Sequence, residues 1–485
     1  MTFPNPVIPG FHPDPSICRA GDELFLATSS FTYFPGVPIF RSTDMATWTQ
    51  IGNALDRVSQ LDLTGTESMT SGGVFAPTLR FHDGRFWMIT TVMRDGRFGS
   101  FFVTAEDPAG PWSEPVAVDL PGIDPDLAWD DDGRCWVHCG LGEIQRTRID
   151  DSTGERLEPM TRTWSGTGLQ FPEAPHLLRR GDWWYLLLAE GGTERGHAVS
   201  IARGPSPEGP WEGCPANPIV SHRSTDRPIQ NTGHADLVEA PDGSWWLVLL
   251  ATRPRGYTPG WHVLGRETFA VPVEWVDDWP VPGPLVPGLS AIDGVRDNFD
   301  GTALGPEWLT VRRPLGDRVS LAAQPGWLTL HGGDAGLDHP YPTFVGRRQQ
   351  HQQCVARTRV AVDGAAEAGL AVRMDEQHHL SVSASGGDAV VRLQVGPLVQ
   401  ELGRAAAADV LFVEAVDHPD GFLGGPDLLR AGVERADGSR EVLAEVDGRY
   451  LSTEVAGGFI GRVIGVYAVG GRASFDWFEL APTLA

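Results

Sequence analysis

Five stretches in the first half of the chain repeat one pattern: a small or polar lead-in, an Ile or Leu, a short polar turn, then an aromatic-rich run. They are Ser16-Ile17 to Phe25, Thr78-Leu79 to Trp87, Asp126-Leu127 to Trp136, His176-Leu177 to Trp184 and Asp236-Leu237 to Trp246. Their turns are Ala20-Gly21-Asp22, His82-Asp83-Gly84, Asp131-Asp132-Gly133, Arg180-Gly181-Asp182 and Pro241-Asp242-Gly243. Gly and Asp accept the backbone that a tight turn needs, so each stretch predicts a β-hairpin. The copies recur about every 50–60 residues, a period that points to propeller blades. Trp48, Trp112 and Trp211 follow their Ile/Leu anchors by 31 to 34 residues. They predict outer strands, where a large aromatic fills the gap between sheets.

The texture changes near residue 280. Pro280, Pro282, Pro284 and Pro287 predict a stiff connector. Beyond it, short runs alternate apolar and polar residues, as in Leu328 to His331, Val390 to Val395 and Phe475 to Leu480. No long helical period interrupts them, so the second region predicts a β-sandwich. The expected organisation is all-β: a five-bladed β-propeller over 1–285, a Pro/Gly-rich linker over 286–297 and a β-sandwich over 298–485.

Composition narrows the function. A chain of 485 residues exceeds one core, in line with two domains. The formal charge of -25 disfavours nucleic acid or an anionic membrane as partner. All 38 basic residues are Arg, and the absence of Lys excludes Schiff-base, pyridoxal phosphate and P-loop chemistry. Met1 to Gly10 has no leader-like apolar run, which predicts a cytoplasmic protein. The five cysteines lack paired spacing, against a disulfide framework or a zinc site.

The repeat also fixes a phase. Three positions before each Ile/Leu anchor stand Asp14, Ala76, Asp124, Ala174 and His234, with Glu173 beside Ala174. In a propeller these positions fall at one level around the axis, so Asp14, Asp124 and Glu173 would face one pocket. Three carboxylates without lysine suggest acid–base work on an acetal: one protonates the leaving oxygen, one activates water, and a third raises the acid's pKa. Each residue also has a plainer reading. Asp14 and either Asp124 or Asp126 could cap turns beside prolines. Glu173 could be a loop charge, His234 a core histidine, and Arg266 a partner for Glu267 or for a blade carboxylate. The coincidence of phase favours the site.

Several motifs resemble glycoside hydrolase family 43. They are Asn5-Pro6-Val7, Gly10 to Ser16, Phe31 to Gly36, Gly72 to Pro77, Gly122 to Pro125, Pro172 to His176, Gly233-His234-Ala235 and Gly265 to Thr268. The tail, from Asp297-Asn298-Phe299-Asp300 to Ser474-Phe475-Asp476-Trp477-Phe478, resembles the concanavalin A-like jelly roll of that family's β-xylosidase branch. The resemblance implies Asp14 as general base, Glu173 as general acid and Asp124 as the carboxylate that tunes the acid. It implies substrate binding by Arg266, Phe31, Phe75 and His234, with His234 beside an axial water or a cation such as calcium. It also implies an exo-acting, inverting glycosidase that needs no cofactor and takes small oligosaccharides. β-Xylosidase is the leading activity and α-L-arabinofuranosidase the alternative; a non-catalytic carbohydrate-binding propeller is the rival class. Many relatives carry Trp at the Phe75 position and Asp at the Thr78 position, which leaves the preferred pentose open. Oligomeric state, including a homo-oligomer, is open as well.

Overall fold

Each repeat of the pattern folds as the hairpin its turn encodes. The strand pairs are Ser16–Ala20 with Glu23–Ala27, Thr78–His82 with Arg85–Arg94, and Ile123–Trp129 with Cys135–Gly140. Glu173–Arg180 with Trp183–Glu190, and Gln230–Glu239 with Trp245–Thr252, complete the set. The structure is a computed structural model that describes residues 3–67, 71–288, 293–364 and 366–483. Residues 289–292, in the middle of the expected linker, lie outside the described residues. Two compact units form: Met1–Ser68, Gly72–Arg253 and Arg266–Ser290 make the first, and Met69–Ser71, Pro254–Gly265 and Ala291–Ala485 the second.

In the first unit, further strands extend each hairpin into an antiparallel sheet, giving five consecutive sheets among the described residues. The alternating side chains of each sheet reach opposite neighbours. Ile17 packs with Val238 and Val248, between the fifth sheet and the first. Leu79 packs with Phe25 and Ile39, Leu127 with Ile89 and Phe102, Leu177 with Trp136, and Leu237 with Leu187 and Ile201. Every Ile/Leu anchor thus fills the space between its own sheet and the preceding one, and the five cores close a ring. Full burial of such a side chain stabilises by about 1.5–3 kcal/mol. Trp112 is buried between the first two sheets, and Trp48 and Trp211 pack at the margins of two other inter-sheet cores.

The second unit stacks an eight-stranded sheet on a six-stranded one. The first contains Leu328–Gly332, Cys354–Asp363, Val410–Val416 and Gly471–Pro482; the second contains Phe344–Arg348, Glu367–Arg373, His378–Ser385 and Val463–Val469. Leu330, Ala356, Leu411 and Phe475 meet Val345, Leu370, Val382 and Val466 in one core. Pro254–Gly265, although it precedes the linker in sequence, belongs to this unit: the backbone N–H of His262 donates to Glu454 at 2.9 Å. The cysteines described are all free and buried. No helix among the described residues is long and apolar enough to cross a membrane.

Candidate active site

The phase that aligns the candidate residues is a backbone device. Asp14, Asp124, Ala174 and His234 adopt φ of 57°, 53°, 51° and 48°. This left-handed region is costly for residues with a Cβ, by about 1–3 kcal/mol each. In three of the inner strands the same point is a bulge, with register breaks between Ile123 and Asp126, Glu173 and His176, and Gly233 and Ala235. A bulge re-aims the side chains beside it. In the fourth sheet Ala174 takes the left-handed position and Glu173, just before it, carries the chemistry. The second sheet breaks here too: Gly73–Val74 and Thr78–His82 are separate strands with Phe75 between them.

Asp14 is buried within a polar cage. Its Oδ1 accepts Nη1 of Arg266 at 2.9 Å, and its Oδ2 accepts the Ser29 hydroxyl at 2.5 Å. His234 Nδ1 approaches Oδ1 to 3.4 Å. Burial works to raise the Asp14 pKa, but Arg266, His234, Ser29 and His197 together outweigh it and hold the carboxyl below its usual 3.8. Arg266 is fixed in turn by Thr193, whose Oγ1 accepts Nη1 at 2.9 Å, and lies over the Phe31 ring at 5.7 Å from its centre. Of the two plain partners for Arg266, it meets the blade carboxylate Asp14; Glu267 instead accepts two bonds from Arg253 and one from the Gly10 amide.

Glu173 and Asp124 have the opposite proton affinity. Burial, reinforced by the Asp14 charge and offset by Arg266, lifts Glu173 from 4.5 to about 7. Asp124 is lifted as well, by burial and then by Glu173 and Asp14, against Arg266 and the hydrogen-bonding Ala174 amide. Two adjacent carboxyls, Asp124 buried and Glu173 partly so, resist a double charge, so the pair titrates together and keeps a proton near neutrality. Three carboxyls in one field therefore include one that is ionised and one that is protonated. Asp124 shares this field with Glu173, and the two carboxyls with Asp14 repel one another's charge.

The remaining expected residues gather at the same place. Phe31 and Phe75 are buried and meet edge to face with centres 5.4 Å apart. His234 is buried and its pKa falls to about 3, chiefly by desolvation, so the imidazole is neutral. Its Nε2 has no hydrogen-bond partner, nor have the Nε2 atoms of His176 and His197. Among the described residues no three His, Cys, Asp or Glu side chains converge on one metal position.

Sequence reasoning missed three supports: Ser29, Thr193 and His197. His197 lies flat on Gly233, where a Cβ would come within 2.3 Å of its ring. It also missed a second polar row, one position before each anchor. Asp126 accepts Nη2 of Arg80 at 2.6 Å and the Leu177 amide at 2.6 Å. Asp236 accepts Nη1 of Arg80 at 2.8 Å, the Ser16 hydroxyl at 2.9 Å and the Ile17 amide at 3.1 Å. Ser16 in turn accepts the Leu79 amide at 3.0 Å. The ring is laced sheet to sheet directly beside the catalytic candidates, and the phase that selected Asp14 and Asp124 could have found this row too.

The sequence model described as glycosyl hydrolases family 43 matches residues 3–280. That of the β-xylosidase C-terminal concanavalin A-like domain matches residues 296–481. The chain is 38% identical over 514 residues to a non-reducing end α-L-arabinofuranosidase of Bacteroides ovatus, covering 99% of this chain and 94% of that one. It is 37% identical over 506 residues to a xylosidase/arabinosidase of Butyrivibrio fibrisolvens, with 96% and 95% covered. The crystal structure of a xylan β-1,4-xylosidase from Bacillus halodurans superposes with a TM-score of 0.89 at 30% identity, covering 99% of this chain and 100% of the other.

Proposed function

The chain belongs to glycosyl hydrolase family 43 and is a glycosidase, and we propose that it releases a terminal β-D-xylose or α-L-arabinofuranose from xylan- or arabinan-derived oligosaccharides with inversion. The observation that carries the acid–base reading is the split in proton affinity within one carboxyl cluster. Asp14 is held ionised by Arg266 and Ser29, while Glu173 is lifted to about 7.

Inverting hydrolysis needs this pairing. Asp14, as base, takes a proton from water while the water oxygen attacks the anomeric carbon. Glu173, as acid, gives its proton to the departing glycosidic oxygen as the anomeric C–O bond breaks. Asp124 steers the acid: it shares the buried field with Glu173 and holds the amide of Ala174, the next residue. Arg266 keeps Asp14 charged and lies over the Phe31 ring beside the proposed sugar position. Phe31 and Phe75 form the apolar wall against the pentose. The proposed chemistry draws every proton from side chains and water and uses no cofactor.

Similarity to relatives named for both activities supports a site that accepts either pentose, because xylopyranose and arabinofuranose present similar shapes to it. The test is kcat/KM on paired aryl β-xyloside and aryl α-arabinofuranoside, with the first-formed sugar followed by proton NMR. Hydrolysis of both with the opposite anomer appearing first is expected. First appearance of the retained anomer would remove the inverting assignment, and turnover of neither pentoside would remove the substrate class.

A further inference from the structure

Phe171 breaks two rules at once. The residue is 58% exposed, so the ring gains little from burial. Its backbone is left-handed at φ 51°, a conformation that is strained for a bulky residue. A strained and exposed aromatic contributes little to folding, and strain of this kind concentrates where ligands bind.

The surrounding loop is built to hold the ring in place. Buried Glu190 accepts the amides of Thr167 at 2.8 Å and Leu169 at 3.2 Å. At Gly166 a Cβ would fall 2.3 Å from that carboxylate, so the turn closes only on glycine. The Gly191 amide donates to the Gln170 carbonyl at 2.7 Å, and Gln170 Nε2 returns a bond to the Gly191 carbonyl at 3.2 Å. The Phe171 ring then lies along Gly192, where an added Cβ would meet it at 3.3 Å. The next residue is Thr193, the hydroxyl that holds Arg266.

Position gives the ring its role. Phe171 stands two residues before Glu173, on the acid's own chain. On the neighbouring strand, Gly140 packs so closely that a Cβ there would meet the Glu173 Cα at 3.0 Å. Its successor Leu141 is 54% exposed. Two exposed apolar side chains therefore stand on the segments that flank Glu173. The group that protonates the leaving oxygen must have the leaving sugar beside it. Sugar rings present an apolar C–H face, and aromatic side chains commonly line the sites that take such ligands.

We propose that Phe171, with Leu141 as a second wall, forms the leaving-group subsite and stacks on the sugar unit next to the scissile bond. This rests on the reading of Glu173 as the acid. The subsite acts on the leaving sugar, and a substrate without one bypasses it.

The test compares two substrates of whichever pentose the enzyme prefers: its disaccharide, and its glycosyl fluoride, whose leaving group is a single atom needing no proton. Phe171→Ala should lower kcat/KM about tenfold more on the disaccharide than on the fluoride, and Phe171→Tyr should restore the ratio. Equal losses on both substrates, or no loss on the disaccharide, would overturn the proposal. Glu173→Ala is measured alongside. It should lose far more on the disaccharide than on the fluoride; equal losses would remove the acid assignment, and the subsite with it. If Glu173→Ala splits the substrates and Phe171→Ala does not, only the subsite falls.

Discussion

One carboxyl cluster holding two proton states makes the Glu173 proton measurable in both rate and stability. Asp14, held below 3.8, is ionised across the working range, so its limb of the kcat/KM profile lies at acid pH. Glu173, raised to about 7, must keep its proton, so the rate falls as pH rises through that value. The sign for stability follows from the same shift. Between 4.5 and about 7 the folded protein binds a proton that the unfolded chain releases. The stabilisation from that proton is complete below 4.5 and is lost as pH rises through about 7. Above it, the buried charge costs up to about 3 kcal/mol. Glu173→Gln has no such proton to lose. Its melting temperature should therefore gain on the parent from pH 4.5 to about 7.5 and then level off, while hydrolysis of unactivated substrates is lost. A melting difference that stays constant over this range would mean that Glu173 is not held protonated. The carboxyls themselves were legible in the sequence because the repeat aligns them. Ser29, Thr193 and His197 were not: polar residues off the inner strands follow no period, and only the folded chain brings them to Asp14 and Arg266.

At the scale of the strand, the repeat encodes a ring that locks itself. The hairpins were legible because Gly/Asp turns and the anchor period agree with each other. The bulges were not, since one extra residue leaves no mark on an apolar pattern. They explain why Glu173 stands one step off the phase: Ala174 occupies the left-handed position there. Arg80 escaped notice because it follows its anchor on a strand that reads as solvent-facing, yet it joins Asp126 and Asp236 from two other sheets. Asp236→Ala would leave Arg80 with Asp126 as its one carboxylate and strip the Ile17 amide and the Ser16 hydroxyl of their acceptor. Breaking one side of a buried ion pair costs about 3–5 kcal/mol. Urea unfolding of Asp236→Ala should show a loss of that size, against a loss near or below ~0.5 kcal/mol for Asp242→Ala in the exposed turn of the same hairpin. Equal, small losses for both would mean that the axial row does not hold the ring.

For the whole molecule, the formal charge of -25 and the isoelectric point near 4.9 act on the surface and not on the site. At neutral pH the like charges repel, and salt screens that repulsion over a Debye length of about 8–10 Å. The Arg266–Asp14 pair is buried, with side chains 8% and 5% exposed, and is screened far less. The proposed pentosides carry no charge, so no long-range field steers them to the pocket. Stability and catalysis should therefore respond differently to the same variable. From 10 to 300 mM sodium chloride at pH 7.5, the melting temperature should rise by a few degrees while kcat/KM on a neutral aryl pentoside stays within about twofold. Near pH 5 the net charge is close to zero and the thermal effect should vanish. A steep fall of kcat/KM with salt at pH 7.5 would contradict an uncharged substrate. It would direct attention to cationic glycosides, because the excess negative charge of this surface attracts only a positive ligand.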